Sequence, residues 1–262
     1  MSGRDEVAAA AVPIPMPLEA PDRTDGGALH GRIRRQVLQR ILTGESGPGD
    51  RVSVSALAAE TGISRTPVRE SLLQLQREGF LTLEENRGFF VRPLTEREAR
   101  ELYPILHALE DLALATAGRA SRARIERLEA LNDRLAASRD AAEAIALNFA
   151  WHRQLTSPCA NRELARLLDR YRMRVYRYEH AYYGPGEERV AYSVELHREI
   201  LTALRAGDVR KARAVLERHW IGDYSLYLPG GAGGGAAARR GPASPEDGAE
   251  GGADAASEPD RS

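Results

Sequence analysis

A single cysteine, Cys159, and a single lysine, Lys211, occur among the 262 residues of this chain. One cysteine excludes a disulfide framework and any metal site built mainly from thiolates. The scarcity of lysine beside many arginines is a compositional bias and supports no mechanism. Neither sign of charge is in excess, with 37 basic and 38 acidic residues for a net charge of −1, so contact with a polyanion must come from a local basic surface. No apolar run approaches the roughly 18 residues of a membrane span. The N-terminus also lacks the basic start and apolar run of a secretory signal. A cytoplasmic chain with no membrane partner is expected. HExxH, a nucleophile elbow and a phosphate loop are all missing.

What is present falls into two domains between two tails. Residues 1–27 and 229–262 are rich in Ala, Pro and Gly without apolar periodicity, and are read as disordered tails. Between them the hydrophobic period changes once. Leu29, Ile33, Val37 and Ile41 mark a first helix that stops at Gly44. Residues 54–60 form a short second helix, Thr61-Gly62-Ile63 a tight turn, and 64–79 a third helix, with Ser64 as its cap and Pro67 in its first turn. Leu81–Leu83 and Phe89–Val91 flank a polar Gly-containing turn and read as a hairpin. Beyond Pro93 only amphipathic segments remain, near 95–118, 121–137, 140–157, 161–183, 187–206 and 208–225. The predicted fold is mainly α: a winged helix-turn-helix over 28–93, followed by a helical bundle over 94–228.

In a winged helix-turn-helix the second motif helix enters the major groove with its N-terminal residues foremost. Position therefore selects Ser64, Arg65, Thr66 and Arg69. The arginines suit guanine edges, and the hydroxyls and free amides suit phosphates. Arg87 and Gly88 lie at the wing tip. Residues 29–92 carry ten arginines against seven acids, a local excess of three positive charges. Double-stranded operator DNA is the expected partner.

The run GISRTPVRESLLQLQREGFLTLEENRGFFV, with the Pro-Gly-Asp turn upstream, resembles the DNA-binding domain of the GntR family of bacterial transcription regulators. That resemblance implies operator contact by Arg65, Thr66, Arg69 and Gly88. It also implies a homodimer and, in most members, repression relieved by a metabolite. Many relatives carry a further arginine where this chain has Ser55.

In the helical part, His197 lies ten residues before Gly207 and His219 twelve after it. If 206–208 turn between antiparallel helices, the two imidazoles stand at nearly the same height, given a rise of about 1.5 Å per residue. Asn148 and His152, four apart, project from one helical face. One oxygen donor and three imidazoles can surround a divalent cation and leave positions open for a ligand carboxylate. The alternative is a set of hydrogen-bonded core histidines.

HRQL, together with ELHREILTALRAGDVRKARAVLERHW, resembles the ligand-binding helical domain of the FadR branch of that family, the FCD domain. In that branch an aspartate and three histidines, matching Asn148, His152, His197 and His219, commonly hold a metal beneath a small carboxylate effector. Zinc or nickel is the expected ion, weakened here because Asn148 removes one negative charge. An effector-clamping arginine of many relatives is replaced by Leu106. Arg172, Arg174, Tyr178 and Tyr182 are the candidate replacements for binding an organic acid. Two other readings stand beside this one: a sensor whose effector is the metal itself, and a metal-dependent hydrolase built on the three histidines.

Overall fold

A computed structural model describes residues 25–182 and 187–222, and the side chains of residues 29–180 and 189–221. Residues 1–24 and 223–262, most of the two segments read as tails, lie outside the described residues.

Helix α1 (Asp25–Leu42) starts inside the segment read as a tail and buries Ile33, Val37, Leu38 and Ile41. Gly44 follows its end in the left-handed region, at φ 77°. Strand β1 (Arg51–Val52) has no counterpart in the sequence reading, because two residues are too few to show a period. Helix α2 (Val54–Thr61) is capped by Ser53, which accepts the Ala56 N–H at 3.2 Å, and ends at Gly62 with φ 70°. Helix α3 (Arg65–Arg77) buries Val68, Leu72 and Leu75 and packs against α1. Strands β2 (Leu81–Glu84) and β3 (Gly88–Val91) form the hairpin, and β1 joins it in the antiparallel order β1-β3-β2. Phe80, Leu81, Phe89 and Val91 add the apolar side of the hairpin to this core.

The helical part comprises α4 (Glu96–Thr116), α5 (Arg122–Ala137), α6 (Ala141–Thr156), α7 (Arg162–Tyr182), α8 (Glu187–Ala206) and α9 (Val209–Glu217). A single π-helical turn, Arg218–Gly222, follows α9. Thr95, Ser121, Asp140 and Asp208 each cap the helix that follows them, which explains why these boundaries are legible in the sequence. Helices α8 and α9 pack together around the turn at Gly207, whose φ of 74° a β-carbon would strain.

Helix α7 holds the two parts together. Arg177 donates to the main-chain oxygens of Arg92 and, at 3.5 Å, Gly79, while Arg170 donates to that of Arg77 at 3.0 Å. Burial pulls the Arg177 guanidinium down to about 10, against the opposing charge of Glu98. A β-carbon on Gly79 would stand 3.1 Å from the Arg174 guanidinium at a φ of 87°, so the close approach of α7 needs glycine there.

Candidate DNA interface and buried histidine centre

The residues selected for DNA reading lie at the start of α3 and at the tip of the β2–β3 hairpin. Arg65, Thr66 and Arg69 project from the first turns of α3, and all are exposed. The Ser64 hydroxyl makes no cap bond, contrary to the expectation for this residue. It sits in extended backbone and is exposed, so the first-turn amides and this hydroxyl remain open to a phosphate oxygen. The Arg69 guanidinium lies 5.8 Å over the Phe89 ring, a contact that holds the side chain against the wing. At the wing tip Arg87 pairs with Glu84 and lies 5.1 Å over Phe90. Asn86 takes φ 60°, and Gly88 takes φ 99° with no atom within 4 Å of its would-be β-carbon. That tight, open tip permits close backbone approach to a duplex. Ser55 is exposed on α2 and its hydroxyl pairs with that of Ser53 at 3.0 Å.

The three histidines expected to share a site do meet. His152 of α6, His197 of α8 and His219 of the π turn are each buried, and their ligand atoms all lie within 4.8 Å of one another. The Nε2 atoms of His152 and His219 are 2.9 Å apart. That is a hydrogen-bond spacing; two nitrogens each about 2.1 Å from one tetrahedral zinc stand about 3.4 Å apart, so the pair would part by about half an ångström to share an ion. The π turn matters because it changes the rotation per residue just where His219 turns inward; such turns recur at functional sites.

Two of the imidazoles are held from behind. His152 donates through Nδ1 to Glu110 at 2.8 Å, leaving Nε2 to face its neighbours. His197 Nδ1 pairs with the Asn132 side-chain oxygen at 2.9 Å, and Asn132 donates in turn to the Val194 carbonyl at 3.1 Å. With Nδ1 engaged, His197 Nε2 is buried with no hydrogen-bond partner. Burial and the neighbouring imidazoles hold His197 and His219 well below the usual imidazole range, so both are neutral at pH 7 with lone pairs to offer. Trp151 lies flat on His197 with ring centroids 3.6 Å apart.

Sequence reasoning missed the acidic side of this centre. Burial alone would raise the Glu110 carboxyl, but the charges and hydrogen bonds of His152 and Arg172 outweigh it and hold it well below the usual carboxylate range. The Glu110 oxygen that faces His152 also accepts the Trp220 indole N–H at 2.8 Å. Glu179 is buried on α7, and its burial, together with the charge of Glu110, pushes it up to about 8 against a hydrogen bond from Asn148. Asn148, one turn before His152 on α6, is buried, and its carbonyl oxygen has no hydrogen-bond partner. Both acids lie on inward faces of long helices, but nothing in their local sequence marks what they meet.

The candidate effector residues separate. Arg172 reaches the centre, donating to Glu110 at 2.6 and 2.9 Å and to the Thr156 hydroxyl at 2.6 Å. Arg174 and Tyr178 instead meet Glu98, at the start of α4. The Tyr182 side chain lies outside the described residues. Leu106 is fully buried and offers no clamp.

An exposed recognition helix and wing joined to a helical bundle with a buried polar centre define a two-part regulator. Residues 29–91 match the family described as bacterial regulatory proteins, gntR family, and residues 101–222 match the FCD domain. The chain is 28% identical to the uncharacterized HTH-type transcriptional regulator YdhC of Bacillus subtilis over 195 residues, 72% of this chain and 86% of that protein. It is 29% identical to the "Probable D-xylose utilization operon transcriptional repressor" of Paenarthrobacter nicotinovorans over 202 residues, 76% and 86% of the two chains. The E. coli McbR/YncC structure shares the fold, with a TM-score of 0.64 at 23% identity over 76% of this chain and 96% of that one. The chain belongs to the GntR family of DNA-binding transcriptional regulators and carries an FCD domain. Its families and relatives are regulators, which removes the hydrolase reading. Among the described residues no helix is long and apolar enough to cross a membrane.

Proposed function

We propose that this chain is a ligand-responsive repressor in which the buried histidine centre holds a divalent ion beneath a small carboxylate effector. The observation that carries the reading is the convergence of His152, His197 and His219 with a buried, unpartnered His197 Nε2. The neutral imidazoles of His197 and His219, with His152 held by Glu110 and His197 by Asn132, suit zinc or nickel, and Asn148 can add a carbonyl oxygen. When bound, the ion would supply a positive charge to an effector carboxylate; Arg172 stays committed to Glu110 and positions His152.

Reading of a two-part operator requires two copies. Helix α4 presents Pro104, Ile105, Ala108, Leu112 and Ala115 outward, with Ile105 40% and Leu112 49% exposed. An apolar stripe of this kind suits a second copy of the chain. Arg65, Thr66, Arg69, Arg87 and Gly88 are the proposed operator contacts, with Ser64 on a phosphate.

The test is elemental analysis of purified, undialysed protein by plasma mass spectrometry, beside a His197→Ala, His219→Ala variant. Near-stoichiometric zinc or nickel that disappears in the variant is expected. Equal metal content in both would overturn the centre. A sensor of the ion itself differs in one respect: chelation alone would change its operator affinity.

A further inference from the structure

Helix α5 buries Ile125, Leu128 and Leu135 on its apolar face, and Asn132 stands among them, 2% exposed. Burying an amide costs free energy unless its hydrogen bonds are made, so for packing alone a leucine would suit this position better. Asn132 bonds to two atoms of α8: its N–H donates to the Val194 carbonyl oxygen at 3.1 Å, and its own oxygen lies 2.9 Å from His197 Nδ1. These contacts can run in one direction only. A main-chain carbonyl accepts and never donates, so the amide must turn its N–H end to Val194 and its oxygen to His197. That oxygen also only accepts, so the single proton of a neutral His197 sits on Nδ1. The lone pair is then on Nε2, the nitrogen that is buried without a hydrogen-bond partner.

Resting on the metal reading above for what that lone pair binds, we infer that Asn132 is a positioning residue that sets the tautomer of His197 and presents its Nε2 lone pair to the centre. Trp151, stacked on the same ring at an interplanar angle of 6°, fixes the plane of the imidazole but is indifferent to which nitrogen carries the proton. Asn132 makes that choice. It does with an uncharged amide for His197 what the Glu110 carboxylate does for His152.

The experiment reads the tautomer directly, by long-range proton–nitrogen NMR correlation of the zinc-free full chain with isotope-labelled histidines, using His197→Gln to assign the signal. Zinc affinity, by competition with a chromophoric chelator, and a thermal melt accompany each variant. The parent should show His197 protonated on Nδ1. Asn132→Leu and the smaller Asn132→Ala both remove the acceptor, so one folded variant suffices. Either should move the proton toward Nε2 and lose zinc affinity on the order of 10- to 100-fold. Asn132→Asp keeps an acceptor at Nδ1, so it should hold the Nδ1–H form and stay within about threefold of the parent affinity. An Nε2–H form in the parent overturns the assignment. So does an unchanged Nδ1–H form in a folded Asn132→Leu or Asn132→Ala chain, which would make Asn132 a tie between α5 and α8 and nothing more. A parent with the Nδ1–H form that takes up no zinc overturns the metal reading and leaves the tautomer assignment standing.

Discussion

The Tyr178 hydroxyl donates to the Glu98 carboxylate at 2.7 Å and accepts the Thr95 N–H at 3.1 Å, tying α7 to the first turn of α4 just beyond the wing. Arg174 and Arg92 pair with the same carboxylate. Tyr178→Phe should therefore cost about 1.5–3 kcal/mol, the range for a hydrogen bond to a charged group, in a urea unfolding series. A change below about 0.5 kcal/mol would show that the latch contributes nothing.

The same carboxylate makes a pH prediction. Burial raises Glu98, but Tyr178, Arg174 and Arg92 outweigh it and hold the folded value below 4.5. The unfolded state then binds the proton more readily, so this stabilisation is present above 4.5 and is lost as pH falls through the lower folded value. Glu98→Gln should flatten the acid limb of melting temperature against pH. An unchanged acid limb would contradict it.

Arg172→Met should destabilise the chain by about 3–5 kcal/mol, because it leaves the buried Glu110 charge without its guanidinium partner. An exposed pair such as Arg97–Glu101 should cost well under about 1 kcal/mol on the same unfolding measurement. A harmless Arg172→Met would mean that Arg172 serves a ligand and not Glu110.

Arg65→Ala with Arg69→Ala should abolish specific operator binding and leave the melting temperature nearly unchanged, since both side chains are exposed. Each arginine lost from a base contact should weaken the complex by about 1–3 kcal/mol. Unaltered operator affinity in the folded variant would remove the DNA-reading assignment.

Ile105→Glu with Leu112→Glu should give a folded monomer in analytical ultracentrifugation and weaken operator binding. Persistence of the dimer would move the interface to another face.

Cap residues and apolar periods place α4 to α8 to within a residue or two, because both signals act within one turn; the start of α1 lies four residues before Leu29, and the last segment, read as one helix over 208–225, gives way to a π turn at Arg218. The equal heights of His197 and His219 follow from counting residues to Gly207. What periodicity supplies is that a side chain faces inward; it does not say what that side chain meets. Arg172 and Arg174, two residues apart, differ by about 200° around α7, which sends one to Glu110 and the other to Glu98. Glu110 meets His152 and Trp220 at separations of 42 and 110 residues, and Asn132 meets His197 at 65. Those partnerships are decided by how the helices pack, and no local pattern encodes them. Sequence alone determined the helices α2 to α8, the hairpin and which three histidines would meet; packing alone decided which buried acids and amides hold them.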